Sequence, residues 1–214
     1  MWIEDRKGTT GALCASTDEG MTEDVSGPLL RRCRRRDSAA LSEIISLHER
    51  RLYRLALGVL GNPAAAEDAV ARAFVAIWTH AGQWRGEAAA ATWIHRIAVR
   101  KIIDVARSER RWTMRLFGRR SEGELGRVPD PRPGPDRETE DRESRGLRRK
   151  RVGEALARLK EDDRVLVHLF YFEGLALSEI EGILDVPKTN LKMRLARARE
   201  KLRKLLGGAT AHET

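Results

Sequence analysis

The chain has little of what marks an enzyme centre, a secreted scaffold or a membrane protein. Its 214 residues include two cysteines, Cys14 and Cys33. These form no zinc-type spacing and are too few for a disulfide framework, which accords with a reducing cytoplasm. No apolar run approaches the roughly 18–20 residues of a membrane span. The first residues lack the apolar core of a secretory leader, so a cytoplasmic location without membrane insertion is expected. His48, His80, His95 and His168 have no carboxylate or nucleophile at a spacing that builds a metal or acid–base centre, so neither cofactor nor catalysis is expected. No segment reads convincingly as a strand. Aromatic residues are only 5% of the chain, although five of them are tryptophan.

What remains is charge and helical periodicity. Lysine and arginine number 41 against 32 acids, a formal charge of +9. The cations are clustered, which favours a polyanionic partner over mere solubility. Residues 1–36 lack periodicity and end in an arginine run, RRCRRR; they are expected to form a disordered extension, with Met21 as an alternative start. From Asp37 a helix is expected, with Leu41, Ile44, Ile45, His48, Leu52, Leu55 and Val59 on one face. Gly61-Asn62-Pro63 should end it and start a second helix at about 63–81, capped by Asn62, with Ala66, Ala69, Val70, Ala73, Phe74 and Ile77 inward. Glu67 and Asp68 fall in its first turn, where the helix dipole favours acids.

A third helix is expected from Thr92 to about Arg111. Ile94, Ile97, Ala98 and Val105 can face a core, and His95, Arg96, Arg100, Lys101, Arg107, Arg110 and Arg111 make the rest basic. With Trp84 and Trp93 this segment, WRGEAAAATWIHRIAVRKIIDVARSERR, combines a cationic track with flat surfaces, as unpaired nucleic acid requires. Trp93 taken alone reads equally as a core anchor. Residues 118–146 are broken by Gly and Pro, and between Asp130 and Glu143 six acids face three arginines, an acidic linker in a basic chain.

Helical pattern resumes at about 147–159. A second helix follows, capped by Asp162 or Asp163 and burying Val165, Leu166, Leu169 and Phe170. A short helix at about 178–184, a turn at Asp185-Val186-Pro187 and a long basic helix complete a helix-turn-helix. If Leu191, Leu195, Ala198 and Leu202 point inward, Thr189, Asn190, Met193, Ala196 and Arg197 point outward. Thr189 is the expected cap of this helix. Asn190, Met193 and Arg197 are candidates for base edges, and Lys188, Lys192, Arg194 and Arg199 for phosphates. The fold class expected is all-α, two small helical domains joined by the linker: 37–113 and 147–207, with 114–146 between them and 208–214 as a tail.

Three blocks together carry a family resemblance. They are LYRLALGVLGNPAAAEDAVARAFVAIW, the segment RGEAAAATWIHRIAVRKIIDVARSERR, and the stretch from EALARLKEDDRVLVHLFYF to the final basic helix. In that order they resemble a bacterial RNA polymerase sigma factor of the small, extracytoplasmic-function type. The resemblance implies that Glu67, Asp68, Ala71, Arg72, Phe74 and Trp78 lie on the helix that docks on core RNA polymerase, at the clamp of the β′ subunit, with Phe74 and Trp78 also serving the core. It implies that Trp84, Arg85, Trp93, Arg96, Arg100 and Arg107 read and melt the −10 element of promoter DNA. Lys188, Thr189, Asn190, Lys192, Met193, Arg194, Arg197 and Arg199 would read the −35 element. The linker would thread towards the polymerase active site, the β subunit would be a further contact, and an anti-sigma factor would hold the monomeric chain inactive.

The chain departs from the family pattern at several of these positions. Ala71 and Arg72 replace a Gln–acid pair, Ala90 a Phe, and Arg100 an Asn. Glu181 replaces a small Ala, Asp185 a turn Gly, Thr189-Asn190 a Gly-Thr, and Met193 a Ser. A buried carboxylate at Glu181 would be costly unless it tips outward or pairs. The competing reading is a helix-turn-helix regulator acting without polymerase, which leaves the first domain unexplained.

Overall fold

The computed structural model describes residues 25–117 and 139–207. Among these every regular element is helical. Helix α1 spans Ser26–Arg34, α2 Ser38–Leu60 and α3 Pro63–His80. A 3₁₀ turn, Ala81–Gln83, leads through a loop to α4, Ala90–Phe117. The second half holds α5 at Thr139–Ala157 and α6 at Glu161–Val167, which continues into one π-helical turn, His168–Phe172. Helices α7, Leu177–Leu184, and α8, Lys188–Gly207, complete the chain.

The helix boundaries follow local chemistry. Asp37 caps α2 by accepting from the amides of Ala39 and Ala40, and Gly61 ends it in the left-handed conformation at φ 69°. Asn62 accepts from the Ala64 amide, and Pro63 occupies the first helical position, where no N–H is needed. All six residues expected on the inner face of α3 are buried.

Two expectations need correction. Residues 1–36 were expected to be disordered, yet Ser26–Arg34 is a helix. It buries Leu29, Leu30 and Cys33 against the first domain, and the Ser26 hydroxyl bonds to His48 Nε2 at 2.9 Å. The arginines hide this stripe in the sequence, because every position from 31 to 36 except Cys33 is arginine. The linker expected at 114–146 is also shorter: α4 runs on to Phe117 and α5 begins at Thr139. The acidic stretch from Asp130 to Arg137 lies outside the described residues, as do residues 1–24 and the 208–214 tail.

The two halves share one continuous core. Helix α4 buries not only Ile94, Ala98 and Val105 but also Val99, Ile102, Ile103 and Ala106, more than one stripe. It needs both because α2 and α3 cover one side while α6 and α7 cover another. Arg164, 6% exposed, crosses between the halves and donates to the carbonyls of Val59 at 2.7 Å, Ala157 at 2.6 Å and Leu159 at 3.2 Å. Val59 lies in the last turn of α2, where the carbonyls carry the negative end of the helix dipole, so the buried cation is well placed.

Candidate nucleic-acid interface

Helix α8 buries Leu191, Leu195 and Ala198 and leaves Thr189, Asn190, Lys192, Met193, Ala196, Arg197 and Arg199 exposed. A 3.6-residue period therefore puts Asn190, Met193 and Arg197 on one outward face, and Met193 is 52% exposed there. Thr189 is not the cap. The helix begins at Lys188, and the Leu191 amide already bonds to the Pro187 carbonyl. Glu181 does the capping from α7: its Oε1 accepts from the Lys188 amide at 3.1 Å. The side chain is exposed rather than trapped between the helices, which removes the cost of a buried carboxylate and places an anion at the positive end of α8. Asp185 closes α7 at φ 57°, a conformation Asp adopts more readily than most residues.

Two of the candidate phosphate contacts are already engaged. Arg194, half-buried, pairs with Asp163 at 2.9 Å and so braces α8 on α6. Arg199 donates to the Tyr171 hydroxyl and lies over the rings of Phe170 and Tyr171. Lys188, Lys192 and Arg197 form no ion pair among the described residues.

The segment expected to handle unpaired DNA is divided. Trp84 and Arg85 lie at the start of the loop before α4. Trp84 is half-buried, with Nε1 donating to the Ala88 carbonyl at 3.0 Å, and Arg85 is exposed. Trp93 is half-buried and packs against the core, and Arg100 is exposed. Arg96 and Arg107, in contrast, hold the second half of the chain. Arg96 donates through Nε and Nη2 to the Gly182 carbonyl, at 3.0 and 2.7 Å. Arg107 pairs with Asp162 at 3.0 Å, Arg110 with Glu161 at 3.3 Å and Arg51 with Glu173 at 2.7 Å. In this arrangement Arg96 is engaged by α7, while Arg107 pairs with α6 and stays exposed.

Two histidines line the same packed interior. His168 presses on Gly58 and stacks on Phe172 at 4.6 Å. Burial pulls its pKa down to about 4, the nearby Arg164 guanidinium adds to the effect, and a backbone bond to Gly58 opposes it. His95 is likewise pulled to about 4 by burial, against a raising bond to the Ala91 carbonyl; it packs edge-on to His48 at 5.9 Å. Both imidazoles are neutral at pH 7.

The outer face of α3 exposes Glu67, Asp68, Ala71 and Arg72, with Arg72 bonded to Asp68 at 2.8 Å. Phe74 is 7% exposed, so its side chain belongs to the core and presents no docking surface; Trp78 is half-buried against that core. Sequence reasoning missed Val75, 66% exposed on the same outer face. Its signal was an apolar residue standing outside the buried stripe of α3.

The comparisons with known proteins resolve the family. The sigma-70 region 2 family matches residues 44–112, and sigma-70 region 4 matches 149–202, in that order and together over more than half of the chain. The chain is a sigma-70 family sigma factor of the extracytoplasmic-function group. The sigma factor SigM of Mycobacterium tuberculosis, of the same group, is 29% identical over 171 residues, covering 80% of this chain and 79% of the relative. In fold, the chain resembles CnrH, solved in complex with the cytosolic domain of CnrY, with a TM-score of 0.60 at 20% identity over 86% of this chain and 97% of that one. It also resembles the sigma factor RpoE of Bartonella quintana, solved with the anti-sigma factor NepR, with a TM-score of 0.58 at 18% identity over 78% and 96%.

Region 2 thus comprises most of α2, α3 and most of α4, and region 4 the end of α5 through most of α8. Helix α1 precedes the region 2 match yet packs into the same core. As a sigma factor the chain binds core RNA polymerase and directs promoter-specific initiation. Among the described residues no helix is long and apolar enough to cross a membrane, and no three His, Cys, Asp or Glu side chains converge as a metal site.

Proposed function

We propose that this sigma factor works as a two-point promoter reader held shut in its free form. The observation that carries this reading is the engagement of Arg96 by the Gly182 carbonyl: a cation of the −10 segment is spent on the −35-reading unit. The −10 and −35 elements lie well apart along a duplex that rises 3.4 Å per base pair, so two domains packed on one core must separate before both are read.

After separation, Arg96, Arg100 and Arg107 join Trp84, Arg85 and Trp93 in holding the melted −10 strand, with stacking on the indoles and charge on the phosphates. Asn190, Met193 and Arg197 enter the major groove at the −35 element; Lys188, Thr189, Lys192 and Arg199 set the register on phosphates, and Arg194 steadies the helix through Asp163. Glu67, Asp68, Ala71 and Arg72, with Val75, form the face for the β′ clamp. The linker approaches the β subunit. The factor acts as a monomer in the cytoplasm, performs no covalent chemistry, and is held by an anti-sigma factor. Support for that last role is the pair of fold neighbours, one solved with an anti-sigma factor and the other with the cytosolic domain of CnrY.

In-vitro transcription with purified core polymerase and a promoter library tests the reading. Specific start sites dependent on the added protein are expected. Specific DNA binding without any polymerase-dependent initiation would favour the stand-alone regulator.

A further inference from the structure

Helix α1 carries Arg31, Arg32 and Arg34, with Arg35 at its C-cap and Arg36 just beyond, and helical geometry sorts the first four. Arg32 lies on one side and is satisfied by Asp37 at 2.8 Å and Glu43 at 3.0 Å. Arg31, Arg34 and Arg35 stand at i, i+3 and i+4 and therefore share another face. All three are exposed, and none of them is paired with a carboxylate among the described residues. The face is not a free-standing charge run, because it is fastened to the corner where α3 gives way to the loop. The Arg31 guanidinium lies 5.9 Å from the centre of the Trp84 ring. The stem of Arg34 passes within 3.8 Å of the position a side chain would take at Gly82. Arg36, at the end of the helix with φ 64°, sets its guanidinium 5.4 Å from the Trp78 ring.

We propose that this arginine edge of α1 is a binding surface for the sugar–phosphate backbone of the unpaired promoter strand, continuing the track that begins at Trp84 and Arg85. The inference rests on the sigma-factor reading. Two features select single-stranded nucleic acid. Unpaired cations occur at a helical repeat, which suits a repeating anion, and two of the guanidiniums lie within 6 Å of indole ring centres, so cation and aromatic ring stand side by side where an unstacked base can meet both. A duplex offers no base face, and an acidic peptide gains nothing from the neighbouring rings.

The test uses holoenzyme assembled from core polymerase and the full chain, with fluorescent 20-residue single-stranded DNA and the matching duplex as probes, titrated over a range of KCl. In the Arg31→Gln/Arg34→Gln/Arg35→Gln variant, single-strand affinity is expected to fall about tenfold or more, with the slope of log affinity against log salt shallower by about 2, roughly 0.7 per lost phosphate contact. Duplex affinity and polymerase affinity should stay unchanged. The triple Arg→Lys variant should keep the salt slope while losing part of the affinity, which separates charge from stacking and controls for misfolding. Unchanged single-strand affinity and slope in the Gln variant overturns the proposal, as does a loss confined to polymerase binding, which would make the edge a protein-docking face. Failure of the unmodified holoenzyme to initiate at any promoter would instead count against the sigma-factor reading itself.

Discussion

The joint between the two halves of the chain can be loosened by one methyl group. A Cβ added at Gly58 would lie 2.4 Å from His168 Cε1 and 2.7 Å from Nδ1. His168 cannot simply swing away: it is buried, stacked on Phe172 and bonded to the Gly58 backbone. Gly58→Ala should therefore cost the closed form about 1–3 kcal/mol, the usual penalty for overpacking a well-filled core. Helix α2 itself gains up to about 1 kcal/mol from Ala over Gly, but equally in the open and closed forms, so that term cancels from the closure equilibrium. The net shift is roughly 5- to 150-fold towards the open form. Small-angle X-ray scattering of the free protein should report a larger radius of gyration, while circular dichroism shows the helix content retained. Specific −35 DNA should bind more tightly, because the closed form no longer competes. In a His168→Ala background the same substitution should have almost no effect on closure, since the clashing ring is gone. Unaltered scattering and DNA affinity in Gly58→Ala would refute the account of the joint; so would an equal effect in the His168→Ala background.

Other outcomes follow from the same geometry. His95 and His168 are neutral in the packed protein, with pKa values pulled from 6.5 to about 4, so the unfolded chain takes up protons first. Their stability contribution is intact above pH 6.5 and is lost as pH falls from 6.5 to 4, up to about 3 kcal/mol for each residue. Denaturant midpoints should drop across that window, and His168→Phe should flatten the drop. Arg197→Ala should weaken −35 binding by about 1–3 kcal/mol with relaxed selectivity at one base pair, read by competition binding; equal loss on all sequences would mark a phosphate contact. Glu181→Ala should remove the cap of α8 at a cost of about 1 kcal/mol, lowering the thermal midpoint by several degrees. Arg72→Glu breaks an exposed pair worth under about 1 kcal/mol and restores the acid of the family pattern on the clamp face, so affinity for core polymerase should hold or improve in a pull-down titration; a large loss would show that Arg72 makes a contact specific to this chain.

Much of the architecture was legible because its causes are local. The Gly61-Asn62-Pro63 corner, the inner face of α3 and the inward Leu191-Leu195-Ala198 stripe each follow from residues within a few positions of one another. Helix α1 is illegible in the sequence for a physical reason: Leu29, Leu30 and Cys33 bury enough to dock a nine-residue helix, but only onto a domain already folded. The contacts between halves were less legible still. Arg96 and Gly182 are 86 positions apart, and Arg107 and Asp162 are 55 apart, so nothing near these arginines distinguishes them from DNA-binding cations. Phe74 was legible as core from the α3 period, and its burial agrees with that placement. Glu181 departs from the family pattern yet has a local use, because the carboxylate reaches the α8 amide that a small residue would leave open.

The separation of the two DNA-reading units is the claim on which the rest depends. Distances between spin labels at exposed Ser46 of α2 and exposed Lys204 of α8, measured in the free protein and again in a complex with core polymerase and promoter DNA, test it most directly. A single narrow distance distribution in the free protein that shifts to a longer distance in the complex is the result the account requires. The same distance in both states, with promoter-specific initiation intact, would contradict it.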